Sequence, residues 1–357
     1  MKTVCVCNPG GSGYIASLVS EAISRGERTA AVRGNWTVDN SVRIPSDFTL
    51  VLDGCYICQA DGCFDNIFVN EHHGTPEGKT AAGRDHNIRI IGKNGAVLDG
   101  GNYNGLGEKN AGKDGRPPIW KNNMILFTNV EGFEVSGLQC RNQRWWALNF
   151  IYCADGHIHD IDFCSCDIWV DENGEQHHGL LRSRYAQVLV KNSDGIDLRQ
   201  GCHDIVIENI TGFTEDDTVA LTALNGRMEQ AFAVEGLPSD LCRVTIRNVA
   251  AAAYCSTVRL LNQGEICLHD ILIENIVDTS PDSPHLDSSS YTVRVGDGNH
   301  MYGSRHATKD ETYNITVRGV RSHASRAALH LAGQIGNLII EDVQCAEGTR
   351  ELEDLRS

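Results

Sequence analysis

The chain has 357 residues, and its 47 acidic residues against 31 Lys and Arg give a formal net charge of −16. Nucleic acids and anionic membranes bind basic surfaces, so this charge argues against both as partners. Hydrophobic residues make up 41% of the sequence, which is enough for a continuous core. With 36 Gly and only 8 Pro, the composition favours a β protein with many tight turns over a helical bundle.

The start of the sequence has no apolar run of signal-peptide length, and no stretch approaches 18 consecutive apolar residues. We therefore expect a cytoplasmic protein whose 14 cysteines are reduced. Cys55, Cys58 and Cys63 lie close together, but no second CxxC pair completes a tetrahedral site. We predict neither a metal nor another cofactor.

The first predicted element is a short helix at residues 15–24, where apolar residues recur at helical spacing. We expect this helix to cover the open end of a β structure, whose unpaired strand edges would otherwise be exposed.

A short β pattern then recurs along the chain: two apolar residues at alternate positions, followed by Asn, Gly or Asp and a closing apolar residue. Its first apolar positions are Ile88, Phe133, Ile158, Ile205, Val244, Ile271, Ile315 and Leu338. Short separations correspond to one repeat, and long ones to two repeats or to one repeat with an inserted loop. Repeats of this kind fit a leucine-rich horseshoe or a parallel β-helix. Because fixed leucines and helical segments are missing, the pattern predicts an all-β, right-handed parallel β-helix.

We predict a single domain over residues 1–357, with a cap region at 1–45, β-helix coils at 46–345 and a frayed, charged tail at 346–357. Polar segments at 101–121, 171–177 and 280–290 are predicted loops that form the sides of a groove. The sequence does not choose between a monomer and a homo-oligomer.

Acidic residues are densest in two neighbouring turns, with Asp194 and Asp197 in the first and Glu215, Asp216 and Asp217 in the second. Positions one coil apart in a parallel stack are separated by ~4.8 Å. Like charges this close cannot all ionise at neutral pH, so at least one pKa is expected to be raised. A protonated acid beside an ionised base is what glycosidic bond cleavage requires. The alternative is that these residues only satisfy turn backbone groups.

Other side chains are candidates for binding substrate near the acids. One of Trp145 and Trp146 is expected to stack on a sugar ring, since strand alternation turns the other into the core. An inserted loop with His177, His178, Arg182 and Arg184 offers positive charge and a proton shuttle. Asp197, Glu215 and Arg259 complete the predicted substrate-binding set.

The sequence N-S-D-G-I-D at 192–197, followed by E-D-D at 215–217, resembles polygalacturonases and their relatives in glycoside hydrolase family 28. With the upstream NGAVLDGGN, the resemblance spans roughly residues 45–345. It implies that Asp216 is the general acid and that Asp194 and Asp217 hold and activate the water. The family pattern of N-T-D, G-D-D, G-H-G and R-x-K is only partly present.

Ser193 stands for Thr, Glu215 stands for Gly, and no G-H-G or R-x-K follows; the corresponding coil is 251–264, with Arg259 and later Arg294. In the family those missing groups grip a galacturonate carboxylate, so their loss affects the expected substrate more than the expected reaction.

These observations predict a glycoside hydrolase that cleaves a small plant- or microbe-derived oligosaccharide by a carboxylate acid/base, inverting mechanism. Other enzymatic alternatives are a β-helix lyase or epimerase and a fructan-type transferase. A carbohydrate-binding β-helix without catalytic activity is the remaining alternative.

Overall fold

The computed structural model describes residues 6–101, 119–165, 169–170, 176–177, 194–298, 303 and 305–356. The described helices and strands follow in chain order: α1 (Gly11–Ser24), β1 (Thr29–Val32), β2 (Asn35–Val38), β3 (Val42–Ile44), β4 (Thr49–Asp53), β5 (Tyr56–Gln59), β6 (Phe68–Asn70), β7 (Asp85–Lys93), β8 (Val97–Asp99), β9 (Ile125–Thr128), β10 (Val130–Ser136), β11 (Gln139–Arg141), β12 (Leu148–Ile151), β13 (Ala154–Cys164), β14 (Trp169–Val170), β15 (Gln176–His177), β16 (Ile196–Arg199), β17 (His203–Thr214), β18 (Val219–Ala223), α2 (Arg227–Gln230), β19 (Leu241–Ala253), β20 (Ser256–Asn262), β21 (Leu268–Asp278), β22 (Tyr291–Val295), β23 (Thr312–Ser322), β24 (Ala327–Gly333), β25 (Gly336–Cys345) and β26 (Leu352–Arg356). Short 3₁₀ turns lie at Glu77–Lys79, Ala81–Gly83, Ile119–Lys121 and Ser280–Asp282.

The strands form two long sheets in which each strand pairs in parallel with a strand of the next coil. Sheet 1 follows the order β1-β4-β7-β10-β13-β17-β19-β21-β23-β25, with β2, β5, β8 and β11 at its side. Sheet 2 follows the order β26-β24-β22-β20-β18-β16-β12-β9-β6-β3. A separate antiparallel pair joins β14 to β15. The predicted right-handed parallel β-helix is thereby confirmed.

The helix α1 covers the first coil, as the sequence predicts, although it begins at Gly11, four residues before the expected start. Its residues Ile15, Val19 and Ala22 are buried and join the same apolar core as the strands. The ring of Tyr14 stacks on Trp36 at 4.0 Å, which fixes α1 against the first coil.

Asn and Asp residues make the sharp corners of sheet 1. Asp160, Asn209, Asn248 and Asn275 all adopt positive φ angles, which Asn and Asp tolerate better than most residues. Each Asn side chain donates to the residue one coil before it: Asn209 to Asp160 at 3.1 Å, Asn248 to Asn209 at 3.2 Å, and Asn275 to Asn248 at 2.8 Å. This ladder aligns the coils and explains the Asn and Asp that close each sequence repeat.

Phe133 and Ile158, which the sequence repeats align as equivalent positions, are both buried in the core but are not paired with each other. Phe133 pairs with Gly156 rather than with Ile158, which instead pairs with Val135. A Cβ at Gly156 would lie 2.1 Å from the Phe133 ring, so the large side chain of one coil fills the space that the glycine of the next leaves. At this position Phe133 and Gly156 together fill the space that two medium-sized side chains fill elsewhere in the stack.

The coils extend beyond the predicted limits at both ends. Strands β1 to β3 lie within the predicted cap region and already belong to the two sheets. The predicted frayed tail is wrong, because β26 pairs in parallel with β24 and Leu352 stacks on Leu329. The long separation between Ile158 and Ile205 corresponds to one coil with an inserted segment, because β13 pairs directly with β17.

The predicted loops at 101–121 and 171–177 lie mostly outside the described residues, whereas 280–290 connects β21 to β22. None of the helices in the described part of the chain has both the length and the apolar character needed to cross a bilayer.

Candidate active site

Two neighbouring strands of sheet 2 bring the acidic residues together. Ile196 in β16 pairs with Val219 in β18, so Asp194 precedes the first strand as Asp217 precedes the second. The backbone N–H of Gly195 donates to the carbonyl of Asp217 at 3.0 Å, which extends the ladder up to the acids. A Cβ at Gly195 would lie 2.4 Å from the carbonyl oxygen of Thr218. The Asp-Gly sequence therefore lets the two coils approach closely beside the acids.

The carboxyl groups of Asp194, Asp216 and Asp217 lie together, with one oxygen from each within 4.8 Å of the others. The backbone N–H of Asp217 donates to Oδ1 of Asp194 at 3.0 Å. Asp194 and Asp217 are buried, whereas Asp216 is partly exposed. The structure thus places side by side the three acids that the sequence singles out as catalytic.

Burial and like charges act strongly on this cluster. Burial, followed by the charges of Asp197, Asp216 and Asp217, raises the pKa of Asp194 well above its usual range. Burial also raises the pKa of Asp197 to about 7, although the guanidinium of Arg199 opposes this rise. Some of these acids therefore carry protons near neutral pH, as expected from the sequence.

Arginine side chains neutralise part of the cluster. Arg199 donates to Oδ1 of Asp197 at 3.2 Å, and Arg259 donates to Oδ2 of Asp217 at 3.3 Å. A second nitrogen of Arg259 donates to Oδ2 of Asp297 at 2.7 Å, and Arg294 donates to the other oxygen of that carboxylate. Burial works to raise the pKa of Asp297, but the two guanidiniums outweigh it and lower that pKa.

These arginines extend along the outer face of sheet 2. By strand register, the outward row runs from Asn149 and Asp197 through Ala220, Arg259, Arg294, His330 and Glu353. Arg259 was predicted as a substrate-binding residue, and the structure places it in direct contact with an acid of the cluster. Asp297 and Arg199 were not predicted. Arg199 could have been found from its place two residues after Asp197, but no sequence signal links Asp297 to Asp217.

The predicted role of the two tryptophans is wrong. Trp145 and Trp146 are only 2% and 6% exposed, so neither ring offers a face to a sugar. They lie in the segment before β12 rather than in a strand, and strand alternation therefore does not apply to them. The Arg199 guanidinium lies 3.8 Å from the centre of the Trp146 ring, a cation–π contact that holds the arginine in place.

The remaining predicted binding residues divide into two groups. Asp197 and Glu215 are buried close to the acid cluster, at 1% and 2% exposure. His178, Arg182 and Arg184, and the side chain of His177, lie outside the described residues.

Carboxylate oxygens are the ligands that hard divalent cations prefer. Asp194, Asp216 and Asp217 are the one group of described residues whose spacing suits such a cation. Arg259 already contacts Asp217 in this group, which favours an acid/base role over a metal site.

A parallel β-helix with crowded, partly protonated acids on one outer face defines a protein suited to cleaving glycosidic bonds. The family model "Glycosyl hydrolases family 28" matches residues 37–232, just over half of the chain, including all three acids. The chain therefore belongs to glycosyl hydrolases family 28.

Solved structures share the same fold at low sequence identity. A hyperthermoactive exopolygalacturonase from Thermotoga maritima is 14% identical, with 95% of this chain and 86% of that chain covered and a TM-score of 0.50. A double mutant of the tailspike protein of E. coli bacteriophage HK620 is 14% identical, with 98% and 62% covered and a TM-score of 0.59. A tailspike mutant of the same phage, in complex with a pentasaccharide, is also 14% identical, with 98% of this chain and 62% of that chain covered and a TM-score of 0.56. The chain thus spans less than two thirds of the tailspike chains. Among curated proteins, none matches it significantly in sequence.

Proposed function

We propose that the protein hydrolyses a glycosidic bond in a small plant- or microbe-derived oligosaccharide by carboxylate acid/base catalysis. The supporting observation is that three carboxyl groups meet within 4.8 Å but have unequal surroundings. Asp194 is buried among like charges, whereas Asp217 receives a hydrogen bond from Arg259. Neighbouring carboxyl groups kept in different protonation states supply the acid and the base that this reaction needs.

The geometry supports a separate role for each acid. Asp216 is the most exposed of the three and is the group we assign to protonating the leaving oxygen. Asp217, which Arg259 contacts at 3.3 Å, is the group we assign to accepting a proton from the attacking water. Burial among like charges raises the pKa of Asp194 and so favours its protonated form, and we assign this group to orienting the water by hydrogen bonding.

The stereochemical outcome follows less directly from the spacing. Inverting enzymes usually separate their two carboxyl groups by ~6.5–9.5 Å, whereas the closest oxygens here lie within 4.8 Å. The spacing therefore does not support the inverting outcome expected from the sequence. We retain inversion as the proposal because the raised pKa of Asp194 disfavours the ionised form that a nucleophile requires.

The arginine contacts favour hydrolysis over the lyase or epimerase alternative. A lyase acting on a uronate needs a cation to neutralise the substrate carboxylate. Of the arginines considered for this role, Arg182 and Arg184 lie outside the described residues. Arg259 contacts the protein's own Asp217 and Asp297, and the neighbouring Arg294 also contacts Asp297. Together with the net charge of −16, this pairing favours a neutral sugar over a polyuronate.

We also propose that the protein acts on an imported oligosaccharide in the cytoplasm. None of the cysteines among the described residues forms a disulfide, which suits a reducing compartment.

The test is to incubate purified protein with neutral plant oligosaccharides, aryl glycosides and oligogalacturonides, and to follow the products by NMR. We expect a reducing sugar from a neutral substrate, with the product anomer inverted. Asp216→Asn should abolish this release, and Asp155→Asn should not, because Asp155 is exposed and its positive φ suits Asn equally well.

Other products would identify the alternatives. An unsaturated sugar would indicate a lyase, and a cyclic disaccharide would indicate a fructan-type transferase. Binding of an oligosaccharide without any product would indicate a carbohydrate-binding β-helix.

A further inference from the structure

A cavity of about 290 Å³ lies on the outer face of sheet 1. Its floor includes Cys164 at the end of β13 and Phe213 near the end of β17, which are paired in the strand register. The segment 279–285 folds over these strands and contributes Asp282 and His285 to the wall. None of these residues belongs to the proposed hydrolytic site.

The covering segment is held in a defined position. Asp278 accepts hydrogen bonds from the backbone of Ser280 at 3.0 Å and from the hydroxyl of Ser289 at 2.8 Å. The His285 ring stacks on Phe213, with the ring centres 5.3 Å apart and the planes 18° apart. The imidazole is therefore oriented before any ligand enters the cavity.

This orientation places a histidine nitrogen against a thiol. The Sγ of Cys164 lies 3.5 Å from Nε2 of His285, within hydrogen-bonding distance for sulfur. Cys164 is not in a disulfide, and its side chain is partly exposed and lines the cavity, so its thiol can be reached from there. An imidazole that accepts the thiol proton produces a thiolate, which is the reactive form of cysteine.

Two carboxyl groups also line the cavity. Asp162 is neutralised locally by Arg141, which donates to it at 2.6 Å, and it accepts a second bond from Thr211 at 2.7 Å. Asp282 lies on the exposed side of the covering segment.

Other cysteines of the chain provide a contrast. Burial raises the pKa of Cys55 and of Cys242 to about 11. Burial also raises the pKa of Cys267 and of Cys345, although both are partly exposed. Thiols of this kind react slowly near neutral pH.

We propose that Cys164 and His285 form a thiol-modification site that reacts with small disulfides in this cavity. His285 takes the proton of Cys164, and the thiolate attacks one sulfur of the incoming disulfide. The S–S bond of the disulfide breaks, a mixed disulfide forms on Cys164, and the departing thiolate takes the proton from His285. The exchange needs no further oxidant.

The test uses the full-length protein and no carbohydrate. Pulses of iodoacetamide from pH 6 to pH 10, followed by peptide mass spectrometry, give the alkylation rate of each cysteine. At pH 6.5 we expect Cys164 to react at least tenfold faster than Cys267 and Cys345. We expect His285→Gln to lower the Cys164 rate at least tenfold at pH 6.5 but to leave it unchanged at pH 10, where the thiol ionises without help.

Hydroxyethyl disulfide then tests the exchange itself, and we expect its adduct mainly on Cys164. The rates of Cys267 and Cys345 report whether His285→Gln keeps the fold; if it does not, the pH profile of the wild-type protein decides. The proposal is overturned if Cys164 reacts no faster than Cys345 or if its rate rises only near the pH of an ordinary thiol. Neither result bears on the hydrolytic site.

Discussion

The guanidinium of Arg259 donates to Oδ2 of Asp217 across 3.3 Å, joining one coil of sheet 2 to the coil before it. The same side chain donates to Asp297 at 2.7 Å, so it is held from both sides. This contact distinguishes Asp217 electrostatically from Asp194, although the two carboxyl groups are neighbours. We therefore expect catalysis to depend on Arg259, although this residue does not itself transfer a proton.

Replacing Arg259 should lower the rate of the reaction. In Arg259→Gln, Asp217 loses the charged hydrogen-bond partner that holds its carboxyl group beside the other acids. A hydrogen bond to a charged group is worth about 1.5–3 kcal/mol, so turnover at pH 7 should fall roughly 10- to 100-fold. Steady-state kinetics at pH 7 measures the decrease.

Arg318→Gln is the matched control, because Arg318 forms an exposed pair with Glu274 at 2.7 Å, far from the acids. Its turnover should equal that of the wild type. Equal turnover in the two variants would show that Arg259 has no part in catalysis.

The pKa of Asp197, raised to about 7, predicts a pH-dependent stability. An unfolded Asp ionises near pH 3.9, so between this pH and about 7 the unfolded chain releases a proton that the folded protein retains. The stability of the wild type should therefore fall as the pH rises through this window, by at most about 1.4 kcal/mol per pH unit. Asp197→Asn cannot release that proton.

Urea unfolding at pH 4, 6 and 8 tests this effect. The stability of Asp197→Asn relative to the wild type should increase from pH 4 to pH 7 and then stay level. A relative stability that decreases over this range would show that the contact with Arg199 outweighs the burial of the charge.

The close approach of the coils at Gly195 predicts a sensitive position. Gly195→Ala brings a Cβ to 2.4 Å from a backbone oxygen of the next coil, so the strands must separate beside Asp194. Overpacking of this kind typically costs about 1–3 kcal/mol, and turnover should fall because the acids move apart. Thermal unfolding and kinetics measure the two losses.

Gly13→Ala is a suitable control for Gly195→Ala. Gly13 lies in α1 with nothing within 4 Å of its Cβ position, so alanine should stabilise the helix by up to about 1 kcal/mol. Equal stability changes in the two variants would contradict the packing argument.

Phe133 and Gly156 should be energetically coupled. Gly156→Ala alone should destabilise the protein, because its Cβ would lie 2.1 Å from the Phe133 ring. Phe133→Leu shortens the side chain and should make room, so the double variant should be more stable than the sum of the single changes predicts. A double-mutant cycle by urea unfolding gives the coupling energy, and additive changes would show that the two residues do not compete for space.

Much of this architecture could be predicted from local sequence. Alternating apolar residues and the Asn or Asp at each corner define the β-helix, and the single-coil separation of Asp194 from Asp217 places the acids together. Other features depend on pairings between coils that no local pattern records. Gly156 opposite Phe133 is one such pairing, and Asp297 joined to Asp217 through Arg259 is another.

The misplaced tryptophans and the ordered tail have similar origins. Trp146 is buried and lies in a segment outside the strands, where side chains do not alternate between two faces. The charged tail forms a strand because β24 offers an unpaired edge, and His330 adds a contact of 2.7 Å to Glu353. Tertiary contacts decide the structure in both places.

The most direct test of the account is the turnover of Asp216→Asn on a neutral oligosaccharide that the wild-type protein cleaves. The account predicts a decrease of at least 10³-fold, with unchanged thermal unfolding and with Asp155→Asn as active as the wild type. Full turnover in both Asp216→Asn and Asp194→Asn would contradict the account, since the acid cluster would then have no part in bond cleavage.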